Sequence, residues 1–202
     1  MADVLGDALL TTVADPRAGA RRVLGWQLTW PQIGLMVLTA TFTSLLIIAI
    51  FVMVMPDTAQ VTATDVDVAD APPQGSSLFE LVAQSFITFG VGSLLVYWIG
   101  RAFGGAGRLQ EVASAMAWFN LLEPGVLALL LIGMALPSPL REVAMLGVAI
   151  WTLWIFACIV AEVHGFKSPA RVAMATFGLS LGFLLVLSIV LASAGFEAPG
   201  AS

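Results

Sequence analysis

Residues 100–131 read GRAFGGAGRLQEVASAMAWFNLLEPGVLALLL. The stretch opens on a glycine-rich turn, Gly104, Gly105 and Gly107, flanked by Arg101 and Arg108, and continues as a long apolar helix. Glu123 and Pro124 interrupt that helix near its centre. A carboxylate in the middle of a membrane-spanning helix costs roughly 2.5–3.5 kcal/mol on insertion scales and normally faces protein or water. Pro124 removes a backbone donor and crowds the preceding turn, which predicts a bend. Glu123 and Pro124 are the one place where two adjacent residues both break the apolar-helix pattern, with Asn120 one turn back.

The rest of the chain has the composition of a membrane protein. Only 10% of the 202 residues are charged, whereas a soluble domain carries about 25%. Mean hydropathy is +0.99. Apolar runs long enough to cross a bilayer, roughly 20 residues each, fall at about 31–55, 78–99, 111–136, 140–163 and 170–192. The expected fold is all-α: a polytopic bundle with five spans and a short amphipathic N-terminal helix.

Residues 1–30 form the N-terminal interfacial region. Val4, Leu5, Ala8, Leu9 and Val13 share one helical face, suited to the membrane surface or to the bundle. Asp15 followed by Pro16 reads as an N-cap with proline at the first helical position. Arg17, Arg21 and Arg22 precede Trp26 and Trp30, the order expected on approach to the bilayer interface. Asp3, Asp7 and Asp15, with no basic n-region, predict that there is no cleavable leader. Residues 56–77 read as an acidic solvated loop and 193–202 as a short tail. Asp65, Asp67 and Asp70 in that loop lack the glycine and distal glutamate of a calcium loop.

Five spans put the termini on opposite sides. Arg17, Arg21, Arg22, Arg101, Arg108, Lys167 and Arg171 share the N-terminal side, and only Arg141 lies opposite. The positive-inside rule predicts a cell (inner) membrane protein with a cytoplasmic N-terminus and an extracytoplasmic C-terminus. An echo runs through the chain: Gly107 precedes Ala115-Met116-Ala117 and Phe119, as Gly165 precedes Ala173-Met174-Ala175 and Phe177. A duplicated helical hairpin generates such an echo, as does chance in an alanine-rich chain.

Each motif carries a functional and a structural meaning. Glu123 serves either as a proton or cation site, or as a polar anchor that bonds carbonyls freed by Pro124 or the side chain of Asn120. The turn Gly104-Gly105-Ala106-Gly107-Arg108 lacks the Gly-Lys-Ser/Thr ending of a nucleotide loop and has no strand before it, so it reads as a tight helix-to-helix turn. Gly178 and Gly182 form a GxxxG that permits close helix packing, within the chain or with another copy. His164, the only histidine, reads as a boundary residue capping its helix beside Gly165 and Lys167. One histidine and one carboxylate do not make a metal site, and Cys158 stands alone within an apolar run. No basic patch suits nucleic acid, no catalytic constellation can be assembled, and no cofactor is expected.

Three features together resemble the Yip family, five-span membrane proteins named for interaction with Ypt/Rab GTPases. They are the turn Gly104-Gly105-Ala106-Gly107 with Glu111-Val112, the helix proline Pro124, and the second turn Glu162-Val163-His164-Gly165-Phe166 followed by Ser168 and Ala170. The resemblance covers about residues 10–192, and the compact, alanine-rich style is similar to bacterial members. It implies a non-catalytic role as scaffold, adaptor or accessory subunit, with the bilayer and either a membrane protein partner or a second copy as associates. The long cytoplasmic N-terminal region of many eukaryotic members is reduced here to about 30 residues. The competing expectation is a small transporter or proton/cation-coupled channel built around Glu123-Pro124.

Overall fold

A computed structural model describes residues 2–54 and 77–193, all but a few of them helical. The helices are α1 (Ala2–Ala14), α2 (Pro16–Gly25), α3 (Trp30–Val54), α4 (Leu78–Ala102), α5 (Leu109–Met134), α6 (Leu140–His164) and α7 (Pro169–Ser193). The acidic segment 56–76, with Asp65, Asp67 and Asp70, and the tail 194–202 lie outside the described residues.

Helices α3 to α7 are each long and apolar enough to cross a membrane. Their exposed surfaces carry residues such as Met53, Phe79, Ile132 and Phe183. Apolar exposure on this scale is foreign to a soluble monomer and normal against lipid. Helix ends are set by local chemistry. Ser77 and Glu80 form a reciprocal capping box at the start of α4 (Ser77 N–H to Glu80 Oε2 2.9 Å, Glu80 N–H to Ser77 Oγ 3.2 Å). Asp15 caps α2 by accepting from the Arg17 and Ala18 N–H groups at 3.1 Å, with Pro16 in the first turn. Gly165 closes α6 in the left-handed region at φ 72°, where glycine carries no Cβ penalty.

Helix α5 is central, packed against α2, α3, α4 and α6. Every residue from Val112 to Trp118 is buried, so this part of the helix is surrounded by protein on all sides. The matching section of α6 buries Ile155, Cys158, Ile159 and Val163. The core therefore sits at one end of the bundle, the end carrying α1, α2 and the α4–α5 and α6–α7 turns. Toward the other end the spans lose one another. The share buried is 28% for α5 and α6 but 0% for α7. The sequence echo does not translate into equivalent environments: Met116 is 6% exposed and Met174 75%.

The N-terminal helix meets the bundle along a narrower edge than its apolar face predicts. Ala8 and Thr12 are fully buried, whereas Val4, Leu5 and Val13 stand exposed. Polar satisfaction and close packing decide this orientation. Trp118 donates its indole N–H to Thr12 Oγ1 at 3.0 Å inside the core, and the Thr12 hydroxyl in turn donates to the Ala8 carbonyl at 2.8 Å. Gly19 of α2 lies against the same threonine, where a Cβ would overlap Oγ1 and come within 2.7 Å of Thr12 Cα. Trp26 closes edge-on against Trp118 at 5.6 Å. Val4, Leu5 and Val13 are left free for the membrane interface.

Thr12→Val preserves shape but orphans the Trp118 N–H, a loss of about 1–3 kcal/mol. Thermal unfolding in lipid nanodiscs is expected to show Thr12→Val melting below wild type and Thr12→Ser melting near it.

Candidate functional site

Two regions gather the polar side chains. The first is the packed end of the bundle, where an acid near the end of a span is met by arginines from outside it. Glu162, one turn before the end of α6, accepts from Arg17 Nε at 2.9 Å and lies 3.6 Å from Arg21 Nη1. The remaining Arg17 donors reach the Phe166 and Lys167 carbonyls at 3.4 Å. One guanidinium therefore neutralises a half-buried carboxylate and also bonds carbonyls just past a helix terminus, where backbone acceptors lack intrahelical partners. The α2–α3 connection is tied in by Gln110, which donates to the Leu28 carbonyl at 2.8 Å.

His164 is the final residue of α6, and its ring is buried rather than capping the helix, a role filled by Gly165. Three glycines of the preceding hairpin enclose it. A Cβ on Gly100 would overlap the imidazole, one on Gly105 would come within 2.5 Å of Nδ1, and one on Gly107 within 2.7 Å of the Val163 carbonyl. The Ala106 N–H donates to the His164 carbonyl at 3.1 Å, and the Gly105 N–H to the Gly100 carbonyl at 2.8 Å. Phe166 stacks on the ring at 5.6 Å. The Val96 carbonyl approaches the ring, yet neither ring nitrogen completes a hydrogen bond. The glycine turn is thus a socket for a histidine. Gly104, by contrast, has open space around it and serves the turn through φ 84°. Among the described residues no group of three histidine, cysteine, aspartate or glutamate side chains is placed to hold a metal ion.

Arg101, Arg108, Lys167 and Arg171 surround this socket. All four are exposed and make no ion pair among the described residues. Their backbones are engaged locally: the Arg108 N–H donates to Glu111 Oε2 at 2.9 Å as α5 begins, and the Arg171 N–H to Ser168 Oγ at 3.4 Å. The sequence-derived candidates Arg101, Gly104, Gly105, Gly107, Arg108, His164, Gly165 and Lys167 therefore share one end of the molecule. Gly100, Glu162 and Arg17, which build the socket and its ion pair, were not among the sequence-derived candidates, and no local sequence signal marks Gly100. An acid just inside a span with arginines beyond the bilayer edge is the signal that points to Glu162.

The second region lies within the spans. Helix α5 continues through Pro124, which is buried. Glu123 and Asn120 border a groove of about 690 Å³ between α3, α4 and α5, together with Ser44, Gln84 and Thr88. Ser93 also lines it, and its hydroxyl is buried without a partner. Of the alternatives for Glu123, a bond to Asn120 is not formed: among the described residues neither side chain makes a hydrogen bond. The groove places uncharged polar groups from α3 and α4 opposite one carboxyl on α5. Gly178 and Gly182 belong to neither region, and nothing lies within 4 Å of a Cβ at either position.

Gly100→Ala forces a methyl into the imidazole, and overpacking of this kind costs about 1–3 kcal/mol. Melting in nanodiscs is expected to fall for Gly100→Ala and to recover in large part when His164→Ala is added, a non-additivity diagnostic of direct contact. Equal losses in the presence and absence of the histidine would contradict the socket.

The family model described as the Yip1 domain matches residues 10–190. No curated protein and no solved structure gives a significant match. The match spans α2 to α7, including both turns that enclose His164, and the chain belongs to the Yip1 domain family.

Proposed function

We propose that this protein is a non-enzymatic scaffold or accessory subunit of a membrane complex, oriented in the cell (inner) membrane with its N-terminus and basic end in the cytoplasm. The observation that carries this reading is the state of α7. Its GxxxG face, Gly178 and Gly182, has no neighbour among the described residues, and the residues beyond Thr176 are exposed throughout the described part of the helix. Lipid tails are as apolar as leucine, so helices associate in membranes through close backbone approach. An open small-residue face supports association with another helix. The packed basic end supports the same reading, because its polar groups are spent on rigidity while Arg101 and Arg108 point outward to a cytoplasmic partner.

A second reading, a small transporter or proton/cation-coupled channel, is favoured by the groove at Glu123, where Ser93 and Asn120 offer uncommitted polar atoms. In that role Glu123 binds the ion, and α3 and α4 supply neutral ligands at the same depth.

Cross-linking in native membranes separates the two. Gly178→Leu with Gly182→Leu is expected to weaken association about tenfold, the loss of one well-packed membrane contact, while Glu123→Gln leaves the complex intact. Flux in proteoliposomes that vanishes with Glu123→Gln would establish the carrier, and intact complexes in the double leucine variant would remove the α7 interface.

A further inference from the structure

A further groove of the described residues lies on neither the Glu123 side nor the GxxxG face. It runs between α4, α6 and α7 and encloses about 1020 Å³, at the upper end of the roughly 300–1,000 Å³ of small-ligand sites. Its walls are apolar: Val96 and Ile99 from α4, Phe156 from α6, and Val172, Leu179 and Phe183 from α7. Leu179 and Phe183 are exposed, so the groove opens sideways onto the space that lipid occupies. Its mouth differs in character. Lys167 and Arg171 line it at the basic end of the bundle beside Ser168, and no acidic residue lines it anywhere. The nearby carboxylate of Glu162 is already engaged by Arg17 and Arg21, and among the described residues neither mouth cation makes an ion pair.

We propose that this groove binds one anionic phospholipid, with an acyl chain along α7 and the phosphate on Lys167 and Arg171. The dimensions fit. From Arg171 to Leu184, the outermost lining positions of α7, a helix rises about 20 Å at 1.5 Å per residue. One leaflet contributes about 15 Å of hydrocarbon, half of a 30 Å core, and the headgroup takes up the rest. Charge complementarity selects the headgroup, because basic pockets between spans are suited to acidic lipid phosphates. A second copy is a poorer occupant. A two-fold contact through this face would bring the Lys167 and Arg171 of both chains together. The proposal is independent of α7 association, since Gly178 and Gly182 do not line the groove.

The test uses the full chain in detergent, titrated with phosphatidylglycerol or with phosphatidylcholine of the same acyl chains, with retained lipid read by native mass spectrometry. Wild type is expected to hold one phosphatidylglycerol in preference to phosphatidylcholine. Lys167→Gln with Arg171→Gln should weaken phosphatidylglycerol retention roughly thirtyfold, two surface-held charges at their usual worth, and Arg141→Gln, at the far end, should leave it unchanged. Ala175→Trp, which fills the groove and spares both cations, should lose the lipid as well. Melting curves matching wild type show that these variants are folded. Retention unaffected by the double glutamine variant, an equal loss with Arg141→Gln, equal binding of the two lipids, or a second protein copy in place of lipid would each overturn the proposal.

Discussion

In hydrocarbon no solvent drives apolar helices together, so a bundle holds where backbones come close and polar groups meet. Here both conditions are concentrated at one end. Arg17 reaches from α2 to Glu162 on α6, Trp118 bonds Thr12, and glycines at positions 19, 100, 105 and 107 allow approaches that no Cβ would permit. Removing Arg17 would leave Glu162 half-buried with only the longer contact to Arg21, and an incompletely paired charge in low dielectric is costly. The three best-packed helices, α2, α5 and α6, meet around these contacts. The remaining spans are attached to that nucleus by part of their length.

Beside this packed core the spans leave two grooves of different chemistry, one of which reaches the basic end of the bundle. The groove between α3, α4 and α5 sets serine, threonine, glutamine and asparagine side chains beside Glu123 in an otherwise apolar lining. The groove between α4, α6 and α7 is apolar with a basic mouth. One scaffold thus presents three distinct surfaces to the membrane: a groove with polar groups at Glu123, one with a basic mouth, and the small-residue face of α7. A carrier would use the first, and a lipid-held scaffold the second and third.

The membrane class, the number of spans and the family resemblance were legible because they depend on hydropathy and on local signals. Asp15-Pro16 at the start of α2 is legible for the same reason, since a cap is a matter of neighbouring residues. What was not legible is long-range. The apolar pattern of α1 left open whether the face of Val4, Leu5 and Val13 meets the membrane surface or the bundle, and Thr12, which does face inward, bonds a tryptophan 106 positions away. The turn glycines looked like loop punctuation. Only the fold reveals that Gly100, Gly105 and Gly107 are small because His164 is large and lies against them. Glu123 and Asn120, one turn apart, looked like partners, whereas the groove draws its polar lining from other helices.

The separation of Arg17 from Glu162, 145 positions along the chain, has a consequence for biosynthesis. A chain made from its N-terminus presents α1 and α2 first, when neither α5 nor α6 has entered the bilayer. Until α5, the third of the spans, arrives with Trp118, these N-terminal helices lack their partner in the bundle core. The clasp becomes available only when α6 arrives, so the earliest part of the polypeptide is among the last to reach its final place. A truncated or mis-inserted chain would leave the basic α2 undocked and accessible, a distinguishing mark of an incomplete molecule.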